Sequence, residues 1–281
     1  MFEINPLSDA LGAEIVGLDL SEPLDDESFA RIHQAHLDFQ VIVFRDQHIT
    51  PEQHIAFSRR FGDLSGHVYD QFLLPGYPEI LKVSNKKKAD GDFAGLASAG
   101  RRWHSDLSYS ATPSLGSLLY ALEIPPSGGD TLFNNMYRAY EALPVVTKTR
   151  IADLRAEFLI GSARKYYTEN ERPALTAEQM AQVPSVDHPV VRTHPETGRK
   201  ALYVNHAHTV CILGMSEAQS EELLAELTEH SVQPEFVYRH KWRLHDLVFW
   251  DNRCGMHIAE PPPPDSNRHM HRTTVVGDTP Y

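Results

Sequence analysis

Two spacings of apolar residues alternate along this 281-residue chain, and each change of spacing marks an element. Behind the acidic start Asp25-Asp26-Glu27-Ser28, residues Phe29, Ile32, His33, Ala35, His36 and Phe39 recur at helical spacing. Thr50-Pro51-Glu52-Gln53 predicts a second helix, with Thr as N-cap, Pro at the first helical position and Gln at the third. It should run to about Phe61 and stop at Gly62. Further helices are expected over 136–143, ended by Pro144, over 145–157, and from the cap Ser216 through His230. Val41-Ile42-Val43-Phe44 is instead a short continuous apolar run, which predicts a buried strand. Residues 11–20, 78–84, 117–124, 131–133, 236–242, 246–250 and 272–276 read as strands. Residues 188–194 and 200–204 form a hairpin about Pro195-Glu196-Thr197-Gly198. Many strands spaced by turns, with helices mostly early, predict a mainly β fold with added helices, a barrel or jelly roll. One domain over 1–281 is expected, with a lid loop at 85–102 and an insertion at 158–189.

Composition narrows the partners. A hydrophobic content of 41% supports one large core, and the net charge of −12 repels nucleic acid. Lys86-Lys87-Lys88 is the one basic run and reads as a solvated loop. The two cysteines, Cys211 and Cys254, suit a reducing cytoplasm rather than a disulfide scaffold. No signal peptide and no apolar stretch of about 20 residues is present, so a cytoplasmic protein without a membrane span is expected.

Candidate chemistry begins at Trp103-His104-Ser105-Asp106. On a strand, His104 and Asp106 would face the same way and bring an imidazole and a carboxylate to one point. A third ligand would complete the 2-His-1-carboxylate set that holds non-heme Fe(II) with positions left open. In a chain with 16 histidines the pair alone is weak. His257, after Trp250-Asp251-Asn252-Arg253, supplies the candidate third ligand. Arg268 and Arg272 follow at a spacing that shares a strand face, and arginine's forked donors suit carboxylates.

Taken in order, His104-x-Asp106, Gly128-Gly129-Asp130-Thr131, Trp250-Asp251-Asn252-Arg253 with His257, and the Arg268/Arg272 pair make a specific pattern. The chain resembles the Fe(II)/2-oxoglutarate dioxygenases of the taurine dioxygenase and 2,4-dichlorophenoxyacetate dioxygenase family. The likeness runs from about residue 11 to 277. It implies a double-stranded β-helix (jelly-roll) core, with iron held by His104, Asp106 and His257. It further implies that Thr131 and Arg268 bind the distal carboxylate of 2-oxoglutarate, and that Arg272 faces the acidic group of a small anionic substrate. O2 is the second co-substrate, succinate and CO2 are released, and a homodimer or homotetramer is the family's habit.

His67 matches a substrate-binding histidine of the taurine-cleaving members; Tyr69 matches their tyrosine only with one residue deleted between them. Their asparagine before the tryptophan is replaced by Gly100-Arg101-Arg102 here. Phe236-Val237-Tyr238-Arg239-His240 and Trp250-Asp251-Asn252-Arg253-Cys254 look more like the aryloxyalkanoate-cleaving members. An aryloxyacetate-type carboxylate is therefore expected ahead of a sulfonate or sulfate ester. Ser162, Arg164, Tyr166, Tyr167, His206 and His208 lie where they would wall the pocket. Two other classes stay open on the residues alone: a non-catalytic cupin-like binding protein, and a zinc hydrolase built on the same His2Asp set.

Overall fold

A computed structural model describes residues 2–97, 99–161 and 174–281. The first part of the chain gives β1 (Glu3–Pro6), β2 (Ala13–Val16), α1 (Asp26–Phe39), β3 (Val41–Phe44) and α2 (Pro51–Arg59). There follow β4 (Leu73–Leu74), β5 (Tyr77–Ser84), β6 (Ser114–Glu123), β7 (Thr131–Asn135), α3 (Met136–Ala142) and α4 (Val145–Ile151). Next are β8 (Arg155–Phe158), α5 (Ala177–Gln182), β9 (Val186–Pro189), β10 (Val191–Thr193), β11 (Lys200–Leu202) and β12 (Thr209–Ile212). The chain closes with α6 (Glu217–Ser231), β13 (Val237–His240), β14 (Leu247–Asp251), β15 (Gly255–Ala259) and β16 (His269–Val276).

Local chemistry sets the helix ends. The Asp25 carboxylate accepts the Ser28 N–H to cap α1, and Thr50 with Gln53 forms a capping box on α2, as Ser216 with Gln219 does on α6. The strands are mainly antiparallel. An eight-stranded sheet runs β1-β2-β3-β14-β6-β16-β5-β4, with β2 and β3 parallel across the α1 connection. Three smaller sheets run β13-β7-β15, β12-β8-β9 and β10-β11.

Alternation along the central strands explains the packing. Val41, Val43, Leu119, Val248 and Met270 share one apolar cluster with Phe133 and Tyr238 of the β13-β7-β15 sheet. Their neighbours Ile42, Phe44, Leu118, Tyr120, Leu247 and Phe249 turn the other way, onto Ile32 and Ala35 of α1 and Phe57 of α2. Residues 41–44 are apolar without a break because β3 is covered on both faces, and all four are buried. A third cluster joins α3, α6 and β8 through Met136, Leu223, Leu227 and Phe158.

The expected helix over 145–157 is shorter: it stops at Ile151, and 155–158 pairs as β8 with β9 and β12. Ala156 and Phe158 alternate inward there, so two flanking strands outweigh a helical pattern that is weak at that end. The strand expected over 11–20 shrinks to β2, and β1, β12 and β15 were not foreseen. Among the described residues no helix is long and apolar enough to cross a membrane.

Candidate active site

The three candidate metal ligands come from β15 and from the irregular segment before β6. His104 and His257 form an isolated bridge, each N–H donating to the other's carbonyl at 3.1 and 2.8 Å. Residues 104–106 are not a strand, as the alternation argument required; the chain turns at once, with Leu107 in the left-handed region at φ 54°. Asp106 is brought round by Asn252, whose side-chain oxygen accepts the Asp106 N–H at 3.0 Å and the Trp250 indole N–H at 3.1 Å.

The ligand atoms of His104, Asp106 and His257 all lie within 4.8 Å of one another, and all three residues are buried. His104 Nδ1 lies 2.8 Å from the Arg102 carbonyl and 3.0 Å from that of His257. Carbonyls only accept, so Nδ1 carries the proton and Nε2 offers its lone pair, 3.6 Å from Asp106 Oδ1. Gly100 makes room for this ring: at φ +76°, a Cβ there would sit 3.2 Å from His104 Cε1.

Asp106 Oδ1 accepts Arg272 Nη1 and Oδ2 accepts Ser117 Oγ, both at 2.7 Å. Burial alone would raise its pKa, but the Arg272 charge, then His257 and His104, hold it well below the carboxylate range. Burial, reinforced by His104, pushes the His257 imidazole well below the usual histidine value and keeps it neutral. Two imidazoles and one ionised carboxylate are a donor set that fits Fe(II).

Beside the triad is a cavity lined by His104, His257, Thr131, Trp250, Arg268 and Arg272. Arg268 is buried, and its Nε and Nη2 have no hydrogen-bond partner among the described residues. Burial first, then the charge of Arg101, lower its pKa to about 10. A desolvated guanidinium without a counter-charge is a site built for an anion. Trp242, which sequence reasoning passed over, organises this corner: its indole N–H donates to Thr131 Oγ1 at 3.0 Å, and its ring centroid lies 5.6 Å from the Arg268 guanidinium carbon.

A family model described as taurine catabolism dioxygenase TauD, TfdA family, matches residues 3–274. The chain belongs to this family. The alpha-ketoglutarate-dependent 2,4-dichlorophenoxyacetate dioxygenase of Cupriavidus pinatubonensis is 37% identical, over 98% of this chain and 97% of that protein. The (S)-phenoxypropionate/alpha-ketoglutarate-dioxygenase of Sphingobium herbicidovorans is 34% identical, covering 99% and 96%. Among solved structures, AAD-2 in complex with Mn(II) and N-oxalylglycine superposes with a TM-score of 0.84 at 36% identity, covering 100% of this chain and 99% of that one.

This TauD/TfdA dioxygenase has a second cavity, which shares Gly100, His104 and Arg272 with the first and adds Asp106. His67, Arg102 and His208 line it with Arg272, beside the less polar Leu107 and Tyr109. Of the remaining candidates, Tyr69 is buried behind His67 in the core, its ring 5.6 Å from that imidazole. His206 is exposed, while its neighbour His208 is buried against Ser108. Ser162, Arg164, Tyr166 and Tyr167 lie outside the described residues. Ser117 and Trp242 were missed because a serine and a tryptophan on strand-like stretches read as ordinary β residues. Asn252 orients Asp106, whereas Arg253 beside it turns to Asp251 and Glu196.

Proposed function

We propose that His104, Asp106 and His257 hold Fe(II) in a jelly-roll core, and that Thr131 and Arg268 bind the distal carboxylate of 2-oxoglutarate. Arg272, with His67 beside it, receives the anionic group of the prime substrate. When bound, iron with 2-oxoglutarate and O2 supplies oxidative decarboxylation to succinate and CO2, coupled to hydroxylation of a C–H bond. The chain's own part is positioning. Arg272 touches Asp106 through Nη1, leaving its buried Nε unpartnered, and it lines both cavities, so it can steady a second anion while orienting the ligand carboxylate.

The substrate we favour is an aryloxyalkanoate-type carboxylate. A hydroxyl placed on the carbon beside an ether oxygen makes an unstable product, so the observed outcome would be C–O cleavage. The names of the aryloxyalkanoate-acting relatives support this choice, as do Leu96, Leu107 and Tyr109 beside the cationic groups of the second cavity.

The observation that carries the reading is Arg268: buried, unpaired at two nitrogens, and in one cavity with both candidate histidine ligands. A zinc hydrolase or an inert cupin-like binder leaves it without purpose. The test is to load the protein anaerobically with Fe(II), titrate 2-oxoglutarate, and follow the visible metal-to-ligand charge-transfer band of the chelate. The band should form, and Arg268→Ala should weaken the titration about 100-fold, the worth of a charge-assisted pair. Iron binding without a band would sink the reading.

A further inference from the structure

Arg101 and Arg102 are adjacent in sequence but are divided between two cavities. Arg102 joins His67 and Arg272 on the prime-substrate side. Arg101 joins Ser84, Asn85, Glu260 and Arg268 around a cavity on the other side. That cavity shares Val83, Ala99, Ala259 and Arg268 with the one holding Thr131 and the candidate metal ligands, so the two lie back to back on the Arg268 side chain. The division follows from the backbone: Gly100 at φ +76° sets the direction of the segment, and the Arg102 carbonyl is pinned by His104 Nδ1 at 2.8 Å.

Arg101 is half-buried and makes no hydrogen bond or ion pair among the described residues. The acid nearest to hand is already engaged, since Glu260 accepts Arg239 Nη1 at 2.6 Å. Two guanidinium charges therefore line one small cavity system whose acidic lining residue, Glu260, is already paired with Arg239, and each raises the cost of the other. Arg101 contributes to the lowering of Arg268's pKa, in keeping with that repulsion. The rest of the molecule carries the opposite sign, at a net charge of −12, so a dianion approaching the site has to cross an unfavourable field.

We propose that Arg101 is a second cationic residue of the co-substrate site, drawing 2-oxoglutarate in and stabilising its distal carboxylate by charge from behind Arg268, while Arg102 serves the prime substrate. This rests on the co-substrate reading given above. It makes Arg101 a steering and binding residue that acts through field rather than through a fixed hydrogen bond. Its effect should therefore fade with ionic strength, as the Debye length shrinks from about 30 Å at 0.01 M to about 3 Å at 1 M salt.

The experiment titrates 2-oxoglutarate, and separately N-oxalylglycine, into anaerobic Fe(II)-loaded wild type, Arg101→Gln, Arg101→Lys and Arg102→Gln, in low and high salt. Band intensity gives Kd for the first ligand and thermal-shift midpoints follow the second. Arg101→Gln should weaken both ligands about tenfold in low salt and by less than half of that factor in high salt. Arg101→Lys should keep most of the affinity, because charge and not fork geometry is what counts. Arg102→Gln should leave both titrations within twofold of wild type. The proposal is overturned if Arg101→Gln binds like wild type, if its loss is independent of salt, or if Arg102→Gln loses as much. Iron-loaded wild type that gives no band overturns the co-substrate reading, and this proposal with it.

Discussion

Among the described residues, two buried groups of His, Asp and a third donor have ligand atoms close enough to hold a metal: His104, Asp106 and His257, and His194, Asp251 and Cys254. They differ in what is left over. Asp251 Oδ1 accepts the Arg253 backbone N–H at 2.8 Å and Nε at 2.9 Å, and Oδ2 accepts Arg253 Nη2 at 2.6 Å and His194 Nε2 at 3.1 Å. A carboxylate has about four lone-pair sites, and these donors fill them. His194 is used up as well, its Nδ1 accepting the backbone N–H groups of Glu196 and Thr197 at 3.2 Å. Asp106 takes one donor on each oxygen, and around it Arg268, Arg272 and His257 keep buried nitrogens with no partner among the described residues. A saturated network holds the fold; an unsaturated one has donors left over for ligands.

The sharpest way to break this contrast is to delete one member of each group. Asp251→Ala leaves buried Arg253 with Glu196 as its carboxylate partner among the described residues, and should cost about 3–5 kcal/mol of stability in denaturant unfolding while the folded fraction still binds one Fe(II). His257→Ala removes a ring whose Nδ1 has no partner, so only packing is lost, about 2 kcal/mol, but Fe(II) binding should vanish. Were Asp251→Ala to keep wild-type stability and lose iron, the two assignments would be exchanged.

That difference was only half legible in the sequence. Candidate ligand types and their order along the chain were visible, because His104-x-Asp106 and His257 carry their chemistry in the residue names. So were the helix caps, where Thr50, Gln53, Ser216 and Gln219 act within three positions of one another. What sequence could not show was saturation. Nothing local tells that Arg253 folds back onto Asp251, or that Ser117, eleven residues on, donates to Asp106. Residues 104–106 reach one point through Asn252 and a turn, where strand alternation was expected. β8 and β12 escaped because their pairing is long-range.

The saturated region also predicts a pH response. His36 stacks on Phe249 with centroids 3.9 Å apart, is fully buried, and neither ring nitrogen has a hydrogen-bond partner. Burial lowers its pKa from 6.5 to about 3; Asp251 opposes this, and Arg253, His33 and His194 reinforce it. Between pH 6.5 and about 3 the unfolded chain binds a proton that the native state refuses, so stability falls as pH falls through that window. At pH 5 the loss from this one group is about 2 kcal/mol. His36→Phe keeps the stack and removes the titration, so the gap between unfolding midpoints at pH 7 and pH 5 should narrow. An unchanged gap would show that His36 is not a source of the acid response.

On the unsaturated side the finest test concerns a single proton. Trp242 Nε1 can only donate, so Thr131 Oγ1 must accept from it at 3.0 Å, and the hydroxyl's own hydrogen is left to donate elsewhere. Thr131 and Arg268 line the same cavity, so that hydrogen and the Arg268 fork are available to one carboxylate. Trp242→Phe keeps the ring against Arg268 but frees the Thr131 hydroxyl to turn, and 2-oxoglutarate should bind about threefold more weakly, as for one neutral hydrogen bond. The decisive comparison is made in a Thr131→Val background, where there is no hydroxyl to orient. There Trp242→Phe should change Kd by less than 1.5-fold, because paired residues of one network are not additive. A full threefold loss in both backgrounds would place the tryptophan's effect in its contact with the guanidinium, and Thr131 would then need no help to present its proton.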